Sequence, residues 1–121
     1  ITAAGGVDLV VQHGPHIVQP VEKVNGTWVY WSVGNLLSGM GSSARYGPPT
    51  LDGVLVWAEF VERRRGGFRV DVRSVLLCTD RASRVVYPAL VTLADPSLPT
   101  ALRTQIEQCV AREAPYVRPM S

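Results

Sequence analysis

The fold class this sequence predicts is α/β: a β-rich domain with one substantial helix near its C-terminal end. Three observations carry it. Short β-branched runs recur along much of the chain. An Asn25-Gly26 pair divides two of them, and both residues tolerate the positive φ that a tight hairpin turn requires. The segment from Pro99 to Arg112 instead repeats its apolar residues, Leu102, Ile106, Cys109 and Val110, at helical spacing.

The elements follow in order. Ala3-Ala4 before Gly5-Gly6 reads as the end of a helix too short to stand alone, and Val7 to Val11 (VDLVV) as a buried strand. Val21–Val24 and Thr27–Val33 are the arms of the hairpin, the second (TWVYWSV) aromatic enough for a central strand. From Gly34 to Asp52 the chain is rich in glycine and serine, contains Pro48-Pro49 and has no period. It is predicted as a long loop, with GMGSSARYG a candidate lid over a neighbouring site; it lacks the Lys-Ser/Thr ending of a phosphate loop. Val54, Val56, Ala58 and Phe60 alternate, as do Phe68, Val70 and Val72 beyond Arg65-Gly66-Gly67, which describes an antiparallel pair with one face on a core. A further strand runs from Arg84 to about Thr92, at an edge or ended early by Pro88. In the final helix Arg103, Glu107 and Arg112 face water; Pro115 stops it, and the tail beyond is loose. So few elements cover that β surface thinly, and something further is expected to pack on the sheet.

A chain of 121 residues holds one domain. With 46% apolar and 18% charged residues it has the balance of a soluble globular protein. No apolar run reaches the roughly 18–20 residues of a membrane span, and no basic segment followed by an apolar one marks a signal peptide. The net charge of +2 and the single basic spot, Arg63-Arg64-Arg65, exclude a nucleic-acid binder and describe a solvated hairpin tip. Cys78 and Cys109 fit no metal spacing; they form a disulfide, if the protein is exported, or stand as two separate buried thiols.

Chemistry concentrates after the first strand, in Gln12-His13-Gly14-Pro15-His16. A loop leaving the carboxyl end of a strand is where α/β folds place ligands. Imidazole suits zinc, iron and similar ions, and each ring needs an acceptor to orient it; Gln19 and Glu22 lie within reach in sequence. Residues three apart do not share a face of an extended chain, so His13 and His16 converge only if Gly14-Pro15 turns. Otherwise the pair is a polar fitting at a strand end. Asn35, after Gly34, either caps a turn or points its amide into the site formed by this loop.

The stretch GGVDLVVQHGPHIVQPVEKVNGTWVYWSVGN, residues 5–35, closely resembles the bacterial capsule-synthesis proteins of the CapA type, the poly-γ-glutamate biosynthesis family. The resemblance covers about residues 3 to 36, continues loosely through Thr50-Leu51-Asp52-Gly53-Val54-Leu55 and fades after about residue 75. It implies a calcineurin-like metallophosphatase sandwich. Residues 1–121 would be a single, partial domain, its C-terminal half, and the N-terminal half of that domain would be the missing partner that completes the metal centre. It implies a divalent metal ion with His16 and His13 as ligands, Asn35 at substrate or metal, and Gln19 and Glu22 supporting the loop. It also implies an anionic polymer or phosphoester as substrate, hydrolysis or transfer as chemistry, and an extracytoplasmic place in the cell envelope, with membrane association only through segments not present here. One departure is specific: His16 falls on the family's second histidine, but Gly14 on its first, which puts the metal in question. The alternative is a non-catalytic polymer-binding or assembly subunit that has lost the metal site.

Overall fold

The computed structural model describes residues 2–40 and 45–117. They form a mixed α/β structure with two three-stranded sheets and a C-terminal helix. Among the described residues a 3₁₀ turn over Thr2–Ala4 precedes the first strand. Strand β1 (Leu9–Val11) runs parallel to β3 (Thr27–Tyr30), and β3 pairs on its other side, antiparallel, with β2 (Val21–Val24). The hairpin is closed as expected by Asn25 and Gly26, both at positive φ, and β3 is the central strand. Two expectations need correction. The VDLVV strand has only three paired residues and is not buried: with one neighbour, β1 is an edge, and Val11 is 44% exposed. The second hairpin arm leaves the ladder at Tyr30, after which Val33 and Gly34 bridge to Val18 and Gly53.

The second sheet is built on β4 (Asp52–Glu62) and β5 (Phe68–Thr79), an uninterrupted antiparallel ribbon from Asp52↔Cys78 to Glu62↔Phe68. The Arg63–Arg65 turn at its tip is exposed. The predicted strand over Arg84–Thr92 survives only as β6 (Val86–Pro88) on the far edge of β5. Pro88 ends it, because proline cannot donate to a ladder, and the chain turns at once into α1 (Ala89–Leu93), where proline's missing N–H is no loss. The last helix, α2, spans Thr100–Glu113, close to the predicted bounds, with Ile106 and Cys109 buried. The Gly34–Asp52 loop carries a 3₁₀ turn at Pro48–Leu51; the centre of the candidate lid, residues 41–44, lies outside the described residues.

Two apolar clusters hold this together. Val18, Tyr30, Val33, Val54, Val72 and Val117 form one, between the sheets. Leu76, Cys78, Ala89, Ile106 and Cys109 form the other, beneath α2. Cys78 and Cys109 are joined in a disulfide, which decides between the two readings of the cysteines and ties β5 to α2. Three further expectations fail around this helix. Arg112 does not face water but reaches Asp52, and Arg103 donates to the carbonyls of Leu93 and Asp95, closing the C-terminal end of α1. The chain beyond Pro115 is not loose as far as Val117, which is fully buried, while Tyr116 O accepts from Val21 N at 3.0 Å. A stripe-based reading finds the helix but misses the apolar residue that returns after the stop.

Candidate functional site

The histidine loop leaves the carboxyl end of β1, and Gly34-Asn35 follows the carboxyl end of its parallel neighbour β3. Backbone bonds tie the base of the loop on both sides: Gln12 N donates to Tyr30 O (2.9 Å), Val33 N to Gln12 O (3.1 Å) and Gln19 N to Ser32 O (3.0 Å). Residues 13–17 project beyond this base and are exposed. Their path depends on two unusual backbones, Gly14 at φ 141° and His16 at φ 64°. The first is open to glycine, and the second is a costly position for a residue with a Cβ. A left-handed non-glycine residue persists where its surroundings over-determine it.

Those surroundings are supplied by Asn35. Its Nδ2 donates to the carbonyls of His16 and Thr50, each at 3.0 Å, so its Oδ1 must face the His16 ring, where Nδ1 lies 3.0 Å away. An acceptor at that position requires Nδ1 to carry the proton. In the neutral ring this leaves the lone pair on Nε2, which makes no hydrogen bond among the described residues. The other predicted residues are placed less tightly. His13 lines an apolar groove with Leu9, Val11, Leu36 and Leu55, a volume of about 340 Å³ between the open edges of β1 and β4. The Glu22 carboxylate accepts from the Trp31 indole at 3.1 Å instead of from a histidine. Gln19 is half-buried on the return limb, held by its backbone. The structure thus joins His16 to Asn35. Neither histidine falls in a group of three ligand-type side chains among the described residues.

Asn35 is itself fixed by close approach to β4. Its N–H donates to Asp52 O at 3.1 Å, and Gly34 bridges to Gly53. A Cβ on Gly53 would overlap the Asn35 carbonyl, and one on Gly34 would lie 2.5 Å from Asp52 O. The Gly-Asn and Asp-Gly pairs are therefore one docking device, in which two glycines let the backbones meet.

Behind this contact lies a cluster that the sequence did not announce. The Asp52 side chain, 1% exposed, accepts from Arg112 Nε (2.9 Å) and Nη2 (2.7 Å), and Glu113, 3% exposed, stands beside them. Burial pushes the Asp52 carboxyl up, and the two Arg112 bonds oppose that. Glu113 is pushed up to about 7, by burial first and by the Asp52 charge second. One signal was readable: Glu113 stands four residues after Cys109 and seven after Ile106, on the apolar stripe, where a carboxyl has to be partnered. Asp52, Cys78 and Cys109 form the one group of three ligand-type residues among the described residues, within 4.8 Å of one another, but the disulfide leaves no thiolate to bind a metal.

Residues 1–40 match the model of the family described as bacterial capsule synthesis protein PGA_cap. The chain is also 34% identical over 65 residues to the PGA biosynthesis protein CapA of Bacillus subtilis (strain 168). Over residues 1–40 the chain is therefore similar to the bacterial capsule synthesis family. The matched segment contains β1, the histidine loop, the hairpin and Gly34-Asn35, and so both partners of the His16–Asn35 contact; the Thr50 carbonyl that also holds Asn35 lies outside it. The match to the Bacillus protein covers 54% of this chain and 16% of the relative, so the chain spans a small part of the protein it is similar to. No solved structure matches it.

Proposed function

We propose that this chain supplies the histidine-loop side of a metal-dependent centre in a capsule or poly-γ-glutamate biosynthesis protein, acting by hydrolysis or group transfer. The observation that carries the reading is the Asn35 contact, which holds a proton on His16 Nδ1 and leaves Nε2 open at an exposed loop. A ligating histidine needs its other ring nitrogen fixed in this way. The φ of 64° at His16 supports it, since the backbone is held in a costly state that presents the ring. A divalent ion bound there would act as a Lewis acid on the scissile group.

In this reading His16 is a ligand and His13 a second, Asn35 fixes the ring beside the substrate, and Gln19 and Glu22 support the return limb of the loop. Two histidines do not complete a coordination shell. The further ligands come from chain outside these residues, the N-terminal half of a calcineurin-like metallophosphatase sandwich of which residues 1–121 are the C-terminal part. The apolar groove between the outer edge of β1 and β4 beyond Val54, both unpaired among the described residues, supports this, because open edges and apolar walls accept further strands. The substrate is an anionic polymer or phosphoester. The family's role in capsule synthesis and the Cys78–Cys109 disulfide support an extracytoplasmic place in the cell envelope. Among the described residues no helix is long and apolar enough to cross a membrane.

A second reading, a polymer-binding or assembly subunit without metal, is favoured by Gly14. At φ 141° this backbone is suited to glycine, so a histidine placed there would be strained. Elemental analysis and calorimetric titration of the intact protein separate the two. The catalytic reading expects one or more bound divalent ions and at least about tenfold weaker binding in His16→Ala. Intact protein that binds no divalent ion, with or without His16, leaves the assembly reading.

A further inference from the structure

A second cavity, of about 190 Å³, opens between the start of β4, the end of β5 and α2, and none of its lining residues belongs to the histidine loop. One wall is apolar: Pro48, Leu51 and the Cys78–Cys109 disulfide. The rest is polar. Thr79 lines it, 2% exposed, and its hydroxyl is the one buried side-chain N or O atom among the described residues without a hydrogen-bond partner. A buried hydroxyl left unpaired is expensive, so a native structure that keeps one beside a cavity calls for a partner inside that cavity.

The charges lining the space narrow what that partner is. Arg112 is neutralised by Asp52 through its bonds of 2.7 and 2.9 Å. Arg81 is exposed and has no ion pair or hydrogen bond among the described residues, and neither has the Gln108 amide. Gln105 Nε2 donates to Thr79 O at 3.1 Å, holding that side chain against the strand end. The neighbouring Asp80 is held mainly by its own loop, where it accepts from Ser83 N (2.8 Å) and Ala82 N (3.3 Å), with a further side-chain contact to Gln105. Among the described residues lining the space, one cation therefore has no ion-pair partner, beside two neutral donors and an apolar wall. That set suits a single negative charge on a planar acceptor and is too weakly positive for a phosphate dianion.

We propose that this cavity binds a carboxylate carried on a short apolar stem, with Arg81 as its counter-ion, Thr79 and Gln108 as further donors, and Pro48, Leu51 and the disulfide against the stem. The site is separate from the histidine loop and does not depend on any metal there. The test is a titration of the full chain with glutarate, followed by backbone amide NMR, beside glutaramide as its neutral counterpart and sulfate at matched ionic strength. The expected result is saturable shifts at Thr79, Arg81 and Gln108 with glutarate and not with the other two. Arg81→Ala should weaken glutarate binding about tenfold or more, and Thr79→Val, which keeps shape and removes the hydroxyl, about fivefold. Arg81 is exposed, so its loss leaves folding intact. No saturable shift, equal shifts with glutaramide or sulfate, or an unchanged affinity in Arg81→Ala would overturn the site and leave a solvent-filled cavity.

Discussion

The two halves of this molecule are stabilised in opposite ways. Residues 9–35 form a small sheet of strands three and four residues long, and carry the exposed histidine loop with its strained backbone at His16. Residues 52–113 form a long two-stranded ribbon braced by α2, a disulfide and a buried apolar cluster. The first half bears the candidate site and the second holds it in place. His16 rests on Asn35, Asn35 on Thr50 and Asp52, and Asp52 on Arg112 of the disulfide-tethered helix. A site on a weak sheet can be well ordered when its second layer of contacts belongs to a stronger one.

Cutting the strong half should have the largest effect. Replacing Cys78 and Cys109 by serine releases a cross-link over 31 residues, at an expected cost of about 2–4 kcal/mol in chemical unfolding. If the ribbon and helix were stable without it, the loss would be under about 1 kcal/mol. Next comes the joint between the halves. Gly53→Ala forces Gly34-Asn35 away from β4 and should cost about 1–3 kcal/mol, with amide shifts at Asn35 and His16. A loss confined to β4, with the His16 resonances unmoved, would show that the halves are independent.

The smallest effect is one of slope. Glu113 holds its proton up to about pH 7 in the folded state, whereas an unfolded glutamate releases it near about 4.3. The folded chain therefore binds the extra proton between those values. Its contribution is fully present below about pH 4 and is lost as pH rises through 7; the raised Asp52 acts in the same direction. Glu113→Gln should flatten that fall in a series of melts from pH 4 to 8. An unchanged slope would place the proton elsewhere.

How much of this was legible depended on whether a feature was local. The Asn25-Gly26 turn, the alternation of Val54 to Phe60 and the stripe of α2 each declare themselves within a few residues, and the corresponding elements are present. Pro88 carried two local meanings, and only pairing with Leu77 decided where the strand stopped. Val117 looked like tail because its partners, Val18, Val33 and Tyr30, lie far back in the chain. The same holds at the site. His16 and Asn35 were visible as residue types in suggestive places, but the order of contacts running on to Arg112 spans the whole chain and has no local pattern. Arg112 in particular read as solvated because a helical wheel shows which face a residue occupies, not what crosses to meet it.

The most direct measurement is the protonation of the His16 ring, by long-range ¹H–¹⁵N correlation, in the wild type and in Asn35→Ala, before and after addition of zinc. The Asn35 contact predicts a proton on Nδ1 in the wild type and a zinc-induced shift at Nε2. In Asn35→Ala the tautomer preference should be lost and zinc bound more weakly, by about tenfold. A proton on Nε2, or a ring indifferent to both zinc and Asn35, would contradict the assignment of this loop as the place where a ligand is held.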